Sequence, residues 1–389
     1  MNYPNDFAVD PDLIYLNHAA VSPWPVCTTQ AIKEFASENT LLGSKNYPRW
    51  LKTEHQLRIN LAQLINAPDA DDIALVKNTS EALSMVAYGI EWNAGDNVVI
   101  PQGEFPSNRI VWESLDEQGV SLKAIDISIE RLPRGKTCRV EQALMDACDE
   151  STRLMSVSSV QFASGLRLDL ETLGKFCRQK GILFCVDAIQ SIGALAFDVQ
   201  AVHADFVMAD GHKWMMSPEG LGLFYCKAAI RNQLKLRQIG WHMVEDVGNF
   251  DSMTWVPALS ARRFECGSPN MLGIHALNSS VSLLLERKME NIEQKIISNS
   301  RYIIKKLESL PGISIMSASD NQRISGIVSF RHEIIDSEII YKDLMAHNVM
   351  CALRNGCIRF SPHFYITEAL LDKAVAKLES SIQAAIQGS

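Results

Sequence analysis

The sequence predicts an α/β protein: a large domain on a mostly parallel sheet, followed by a smaller α+β domain. Three observations carry this. Short apolar runs recur at residues 73–76, 98–101, 154–160, 182–186, 204–208 and 223–226. Those at 73–76, 182–186 and 223–226 lack polar alternation, which is the pattern of strands buried on both faces. Helical stretches alternate with most of them, as parallel crossovers require. A long helical span, residues 274–310, then separates this series from strands near 313–316, 325–330 and 349–353 and helices at 337–346 and 368–386.

The chain has 389 residues, 47% of them hydrophobic. That is ample for one large core and a second smaller one. The net charge of -8 argues against nucleic acid as the main partner. The first residues are polar and acidic and lack the basic and apolar segments of a secretion signal. No apolar run reaches the roughly 18 residues of a membrane span. A cytoplasmic protein is expected. The nine cysteines are Cys27, Cys138, Cys148, Cys177, Cys185, Cys226, Cys266, Cys351 and Cys357. They are scattered and form no C-x-x-C pair, so zinc and dithiol chemistry are not expected and no metal site is assigned. They read as reduced apolar fillers. No repeat is present. No G-x-G-x-x-G follows a strand, which argues against a nicotinamide enzyme.

Taken in order, a polar arm (residues 1–17) leads to His18-Ala19-Ala20, where the small alanines permit close backbone approach. Helices are predicted at 30–42 and 51–65, separated by Gly43 and Pro48. The strand at 73–76 is followed by Asn78-Thr79-Ser80-Glu81, which reads as an N-cap with a capping box. A helix start attracts anions, and Thr79 and Ser80 add hydroxyl donors there. Phe105 follows the strand at 98–101, a position from which an aromatic can stack on a planar ring. Gln161 follows the strand at 154–160, and a crossover helix covers 170–179.

The strand at 182–186 closes on Asp187, at the sheet edge where open α/β sheets bind ligands. The next strand, 204–208, ends just before Asp210-Gly211-His212-Lys213-Trp214. Asp187 and Lys213 are therefore expected at one edge. One chemistry needs such a pair. Pyridoxal phosphate (PLP) joins covalently to a lysine amine, and an acid partner keeps its ring nitrogen protonated.

The order V-D-A-x-Q, a strand, then G-H-K-W resembles the PLP-dependent fold-type I enzymes. Within them it resembles the class V aminotransferase and cysteine desulfurase group, isopenicillin N epimerase-like members included. The resemblance implies a PLP-binding large domain with a seven-stranded sheet over residues 18–270, and a linker helix and small domain over 271–389. It implies that Lys213 carries the cofactor, Asp187 pairs with the pyridine nitrogen, and Gln190 bonds the ring hydroxyl. His212 would lie beside the ring as a catalytic residue. N-T-S-E-A resembles the phosphate turn, which assigns Thr79 and Ser80. Phe105 would cover the pyridine face, where desulfurases carry histidine and kynureninase-like and epimerase-like members carry Phe-Pro. Gln161 would reach the ring oxygen or the substrate. The Y-L-x-x-A-A turn would put His18 against substrate. R-F-E-x-G-S-P-N resembles a turn whose hydroxyl reaches the neighbouring subunit's cofactor phosphate, so Ser268 would act across a homodimer. R-x-S-x-x-x-Y-x-T makes Arg359 the clamp for an amino-acid carboxylate, which a guanidinium fork meets with two bonds.

Two departures matter. Desulfurases of the group hold a nucleophilic cysteine on a mobile loop before the substrate arginine. Here Arg354-Asn355-Gly356 runs directly into Cys357, two residues from Arg359. Persulfide transfer needs a thiolate that can move, which argues against a dedicated sulfur donor. Asp210 stands where many relatives have serine near the phosphate. The implied activity acts at an amino acid's α-carbon. A C–S lyase or desulfurase-like β-elimination is the first reading, and an aminotransferase or epimerase-like racemase is the alternative. A non-catalytic PLP-fold binding protein is the remote one.

Overall fold

The computed structural model describes residues 6–127, 139–318, 320 and 322–387. The arm expected over residues 1–17 falls partly outside these residues, and Cys138 lies outside them. A short strand β1 (Ile14–Tyr15) opens the chain. The strands β2 (Ile73–Val76), β3 (Asn97–Pro101), β4 (Ser121–Ile125), β5 (Thr152–Ser158), β6 (Leu183–Asp187), β7 (Phe206–Asp210) and β8 (Gly222–Cys226) form one seven-stranded sheet. Its order is β2-β8-β7-β6-β5-β3-β4.

The pairs among β3 to β7 are all parallel. β8 runs antiparallel to both neighbours, β7 and β2. Only residues 211–221 join β7 to β8, too short a link for the crossover a parallel pair needs. Strand residues alternate between two cores, as the pleat dictates. Val207 and Ala209 pack on one face, Phe206 and Met208 on the other. β4 carries no apolar run to betray it, because it is the edge strand and its residues are half-buried or exposed.

Helices Val26–Leu42 and Tyr47–Leu64 lie near their expected positions, but Pro48 sits in the first turn of the second helix. That is where proline's missing N–H costs nothing. The single helix expected over 274–310 is two, Met271–Arg287 and Met289–Glu308. Lys288 between them has φ +65°, which no continuing right-handed helix allows.

The C-terminal strands are β9 (Ile313–Ile315), β10 (Val328–His332), β11 (Val349–Met350), β12 (Ala352–Arg354) and β13 (Cys357–Phe360). Four form an antiparallel sheet of order β12-β13-β10-β9. The strand expected at 349–353 divides at Cys351, because β11 leaves to pair with β1 in parallel. The start of the chain is thereby tied to the end. Helices Ser337–Ala346 and Glu368–Gln387 lie alongside. Among the described residues no helix is long and apolar enough to cross a membrane.

Candidate active site

The carboxyl ends of β5, β6 and β7 lie side by side, with Ser158 paired to Asp187 and Asp187 to Met208. The turns beyond them enclose a cavity of about 380 Å³. Asp187 and Lys213 both line it, as their places after neighbouring strands predict. Gly193 (φ +95°) lets the loop after β6 lie against the lysine turn. A Cβ there would stand 2.4 Å from the Trp214 carbonyl oxygen, so no other residue fits.

The Lys213 amine is buried, and burial pushes its pKa down to about 8. Asp187 opposes that shift and Arg359 adds to it. Its Nζ lies 5.4 Å from the centre of the Phe105 ring. Asp187 is pushed up to about 6 by burial, against the Ile189 N–H at 3.0 Å and the charge of Lys213. Asp210 is pushed up to about 7 by burial, and His212 down to about 4 by burial and the neighbouring lysine. His212 is thus a neutral imidazole at neutral pH.

At one end of the cavity the helix Thr79–Gly89 begins. The Asn78 side chain accepts the Glu81 N–H at 2.9 Å, and Glu81 accepts the N–H of Lys77 at 2.6 Å. The capping box therefore reaches back one residue beyond the cap. The Thr79 hydroxyl is buried without a partner, while Ser80 shares a 2.7 Å bond with Ser107. Gln190 also lines the cavity. Its carbonyl accepts from Trp214 Nε1 at 2.9 Å, and one amide N–H goes to the Ala19 carbonyl at 3.0 Å. Its second amide N–H has no partner among the described residues.

Arg359 rises from β13 and lines the cavity from the C-terminal sheet. It is 1% exposed. Nη1 donates to the Phe162 carbonyl at 2.6 Å, but Nε and Nη2 have no partner. Burial, with Arg354 nearby, pushes its pKa down to about 9. A buried guanidinium with one bare edge is built for an anion.

Three predicted residues stand apart. His18 does not border the cavity. It is fully buried, with Nδ1 on the Ser361 carbonyl at 2.8 Å and Nε2 on the Tyr365 hydroxyl at 2.7 Å. Both ring nitrogens are engaged, so none is left for substrate. Gln161 is turned away, donating to Glu104 at 2.8 Å. Ser268 is exposed and outside this cavity, so it contributes nothing to its own chain's site.

Two further residues carry weight that residue pattern alone does not signal. Arg354 adds a second guanidinium to the wall. Glu104 is a buried carboxyl pushed up to about 7 by burial. It accepts from the Ser158 N–H at 2.8 Å, from the Ser158 hydroxyl and from Gln161. It ties the turn bearing Phe105 to the end of β5. Elsewhere Glu54, His242 and Glu265 converge. Arg58 pairs with both carboxylates at 2.5 Å, which supplies their cation.

The set fits PLP on its own chemistry. A buried amine of lowered pKa, a strand-end carboxylate, an unpartnered hydroxyl at a helix start and an aromatic near the amine share one cavity. The comparisons agree. The sequence profile of the family described as Aminotransferase class-V matches residues 14–369. A probable cysteine desulfurase of Methanothermobacter thermautotrophicus is 31% identical over 380 residues, covering 92% of this chain and 91% of that one. The apo structure of a cysteine desulfurase from Thermococcus onnurineus NA1 superposes with TM-score 0.86 at 23% identity, covering 98% of this chain and 97% of that one. C-DES matches twice, as a variant with glycine linked covalently to the PLP cofactor and as a cystine C–S lyase with its product cysteine persulfide. The TM-scores are 0.89 and 0.86 at 21% and 22% identity, over 97% and 95% of this chain and 99% and 98% of theirs. At those identities the superpositions establish the fold. The profile and the archaeal relative establish more: this chain belongs to the class V aminotransferase family of PLP-dependent enzymes.

Proposed function

We propose that this enzyme is a C–S lyase, cleaving a sulfur-bearing amino acid by a desulfurase-like β-elimination. The observation that carries it is the bare Nε–Nη2 edge of Arg359, in the same cavity as Lys213. That edge would take the substrate carboxylate through two parallel bonds and set the α-carbon's orientation. The relatives, desulfurases and a cystine C–S lyase, support sulfur as the leaving atom.

Lys213 would hold the cofactor covalently, Asp187 its ring nitrogen, Thr79 and Ser80 its phosphate, Gln190 its ring hydroxyl and Phe105 its ring face. Bound PLP supplies an electron sink for charge developing at the substrate α-carbon. Every other task falls to side chains. Lys213, with its amine pushed down to about 8, is partly neutral at neutral pH and takes the α-proton at Nζ. His212, neutral in its place beside Asp210, is available to carry a proton at a ring nitrogen. Phe105 and Phe162, packed edge to face at 5.3 Å, form one apolar wall of the cavity.

Cys357 stays outside this scheme. It is buried at the start of β13, opposite Arg354, and no cysteine among the described residues lines the cavity. Sulfur would therefore leave on a small molecule. A second copy of the chain is part of the proposal, since Ser268 is exposed and free to serve a neighbouring site.

The test is incubation with cysteine, cystine, cysteine sulfinate and alanine, following products by mass. Pyruvate with reduced sulfur from a thio-substrate is expected. A keto acid that retains sulfur would establish a transaminase instead, and loss of optical activity alone a racemase.

A further inference from the structure

Asp210 ends β7 and forms part of the cavity wall. Its Oδ1 accepts the Thr79 backbone N–H at 2.9 Å. Thr79 opens an 11-residue helix, so this N–H is one of the donors a helix start offers an anion. Beside it the Thr79 hydroxyl is unpartnered, although Thr79 is only 4% exposed. One donor of the anion position is waiting, and the other is already held by a carboxylate. The backbone behind Asp210 is closed. A Cβ on Gly222 would stand 2.6 Å from the Ala209 carbonyl oxygen and 3.0 Å from Asp210 Oδ1. The titratable groups around Asp210 are Lys213, Asp187 on β6, and the neutral His212, whose Nδ1 lies 3.7 Å from Oδ2. Arg354 and Arg359 face the same cavity from the C-terminal sheet.

We propose that Asp210 is an internal counter-anion at the phosphate end of the site, and that it takes one proton from solvent when the cofactor phosphate binds. The neutral carboxyl then donates its O–H to a phosphate oxygen, as a hydroxyl side chain at this position would. No bond other than this O–H is made or broken. The inference rests on the PLP reading of the cavity and adds a pH dependence that a serine would not produce. Burial holds Asp210 near 7 already, Lys213 opposes the rise and Asp187 adds to it. A phosphate alongside raises it further. Below the free protein's value the proton is in place and binding is unaffected. Above it, affinity falls by about tenfold per pH unit until the bound form also deprotonates.

Pyridoxamine 5'-phosphate tests this, because it carries the ring and phosphate but no aldehyde for Lys213. Its dissociation constant is measured by tryptophan fluorescence from about pH 6.5 to about pH 9.5. The full-length protein is compared with Asp210→Asn and Asp210→Ser, each first shown to be folded by circular dichroism. Titrations of the probe are common to all three and cancel in the ratio, and any shift in the Lys213 titration caused by losing the Asp210 charge is read from the unphosphorylated probe and subtracted. The ratio of wild-type to variant dissociation constant is expected to grow by about tenfold per pH unit above neutrality. Calorimetry in two buffers at alkaline pH is expected to find about one more proton taken up by the wild type than by either variant. Pyridoxamine without phosphate is expected to show no such difference. Parallel pH curves with equal proton uptake overturn the role of Asp210 while leaving the cofactor reading standing. A probe that binds no form at any pH overturns both.

Discussion

Arg359 reaches from the C-terminal sheet to the loop after β5, donating Nη1 to the Phe162 carbonyl at 2.6 Å. This bond spans the two sheets and holds the guanidinium so that its other edge stays bare. Losing charge-assisted bonds of this kind costs about 1.5–3 kcal/mol each. Arg359→Ala is therefore expected to lower kcat/KM by about 100-fold or more, mostly through KM. Arg359→Lys keeps the charge but not the fork and is expected to recover only part of it. Equal kinetics for the lysine variant and the wild type would reject two-pronged recognition.

Lys213 is the point of cofactor attachment in this reading. Borohydride reduction of protein supplied with PLP is expected to leave a stable adduct on the peptide containing Lys213. Lys213→Ala should give no adduct there, and turnover should drop by about 10²–10⁴-fold. An adduct on another lysine in the wild type would move the site.

Glu104 predicts a pH effect on stability. Its folded pKa of about 7 lies above the ordinary carboxyl value, so the folded state holds a proton the unfolded chain releases first. Between those values the unfolded state binds fewer protons, and stability declines as pH rises through the window. Glu104→Gln keeps the acceptor for the Ser158 N–H and cannot ionise. Its stability relative to wild type is expected to improve by about 2–3 kcal/mol between pH 5 and pH 8. Urea unfolding at both pH values checks this. A constant difference would mean that Glu104 is not the titrating group.

Cys357→Ala is expected to keep cysteine turnover within about threefold, since a buried thiol off the cavity wall is inert. The lost sulfur should cost about 1 kcal/mol of stability. A collapse of sulfide release in a variant with unchanged fold would show that sulfur passes over the chain after all.

Much of this site was legible because its signals are local. Asn78 caps its helix through a residue three positions on, and the apolar runs ending near Asp187 and Asp210 declare buried parallel strands. Once those strands are neighbours, their carboxyl ends must meet, so Asp187 and Lys213 follow from chain order alone. The strand residues at Ile358 and Phe360 likewise put Arg359 on a definite face.

Other features needed partners far away in sequence. His18 looked like a substrate residue until its ring nitrogens met Ser361 and Tyr365, over 340 positions distant. The strand expected at 349–353 divides because β11 finds β1 at the other end of the chain. Glu104 gains its character from Ser158 and Gln161, and Asp210 from the N–H of Thr79. Residue order alone specified the strands, the cap and the chemistry of the lysine and its acid. Tertiary packing decided which polar atoms are satisfied by protein and which are left bare for a ligand, because burial and long-range pairing depend on the folded chain as a whole.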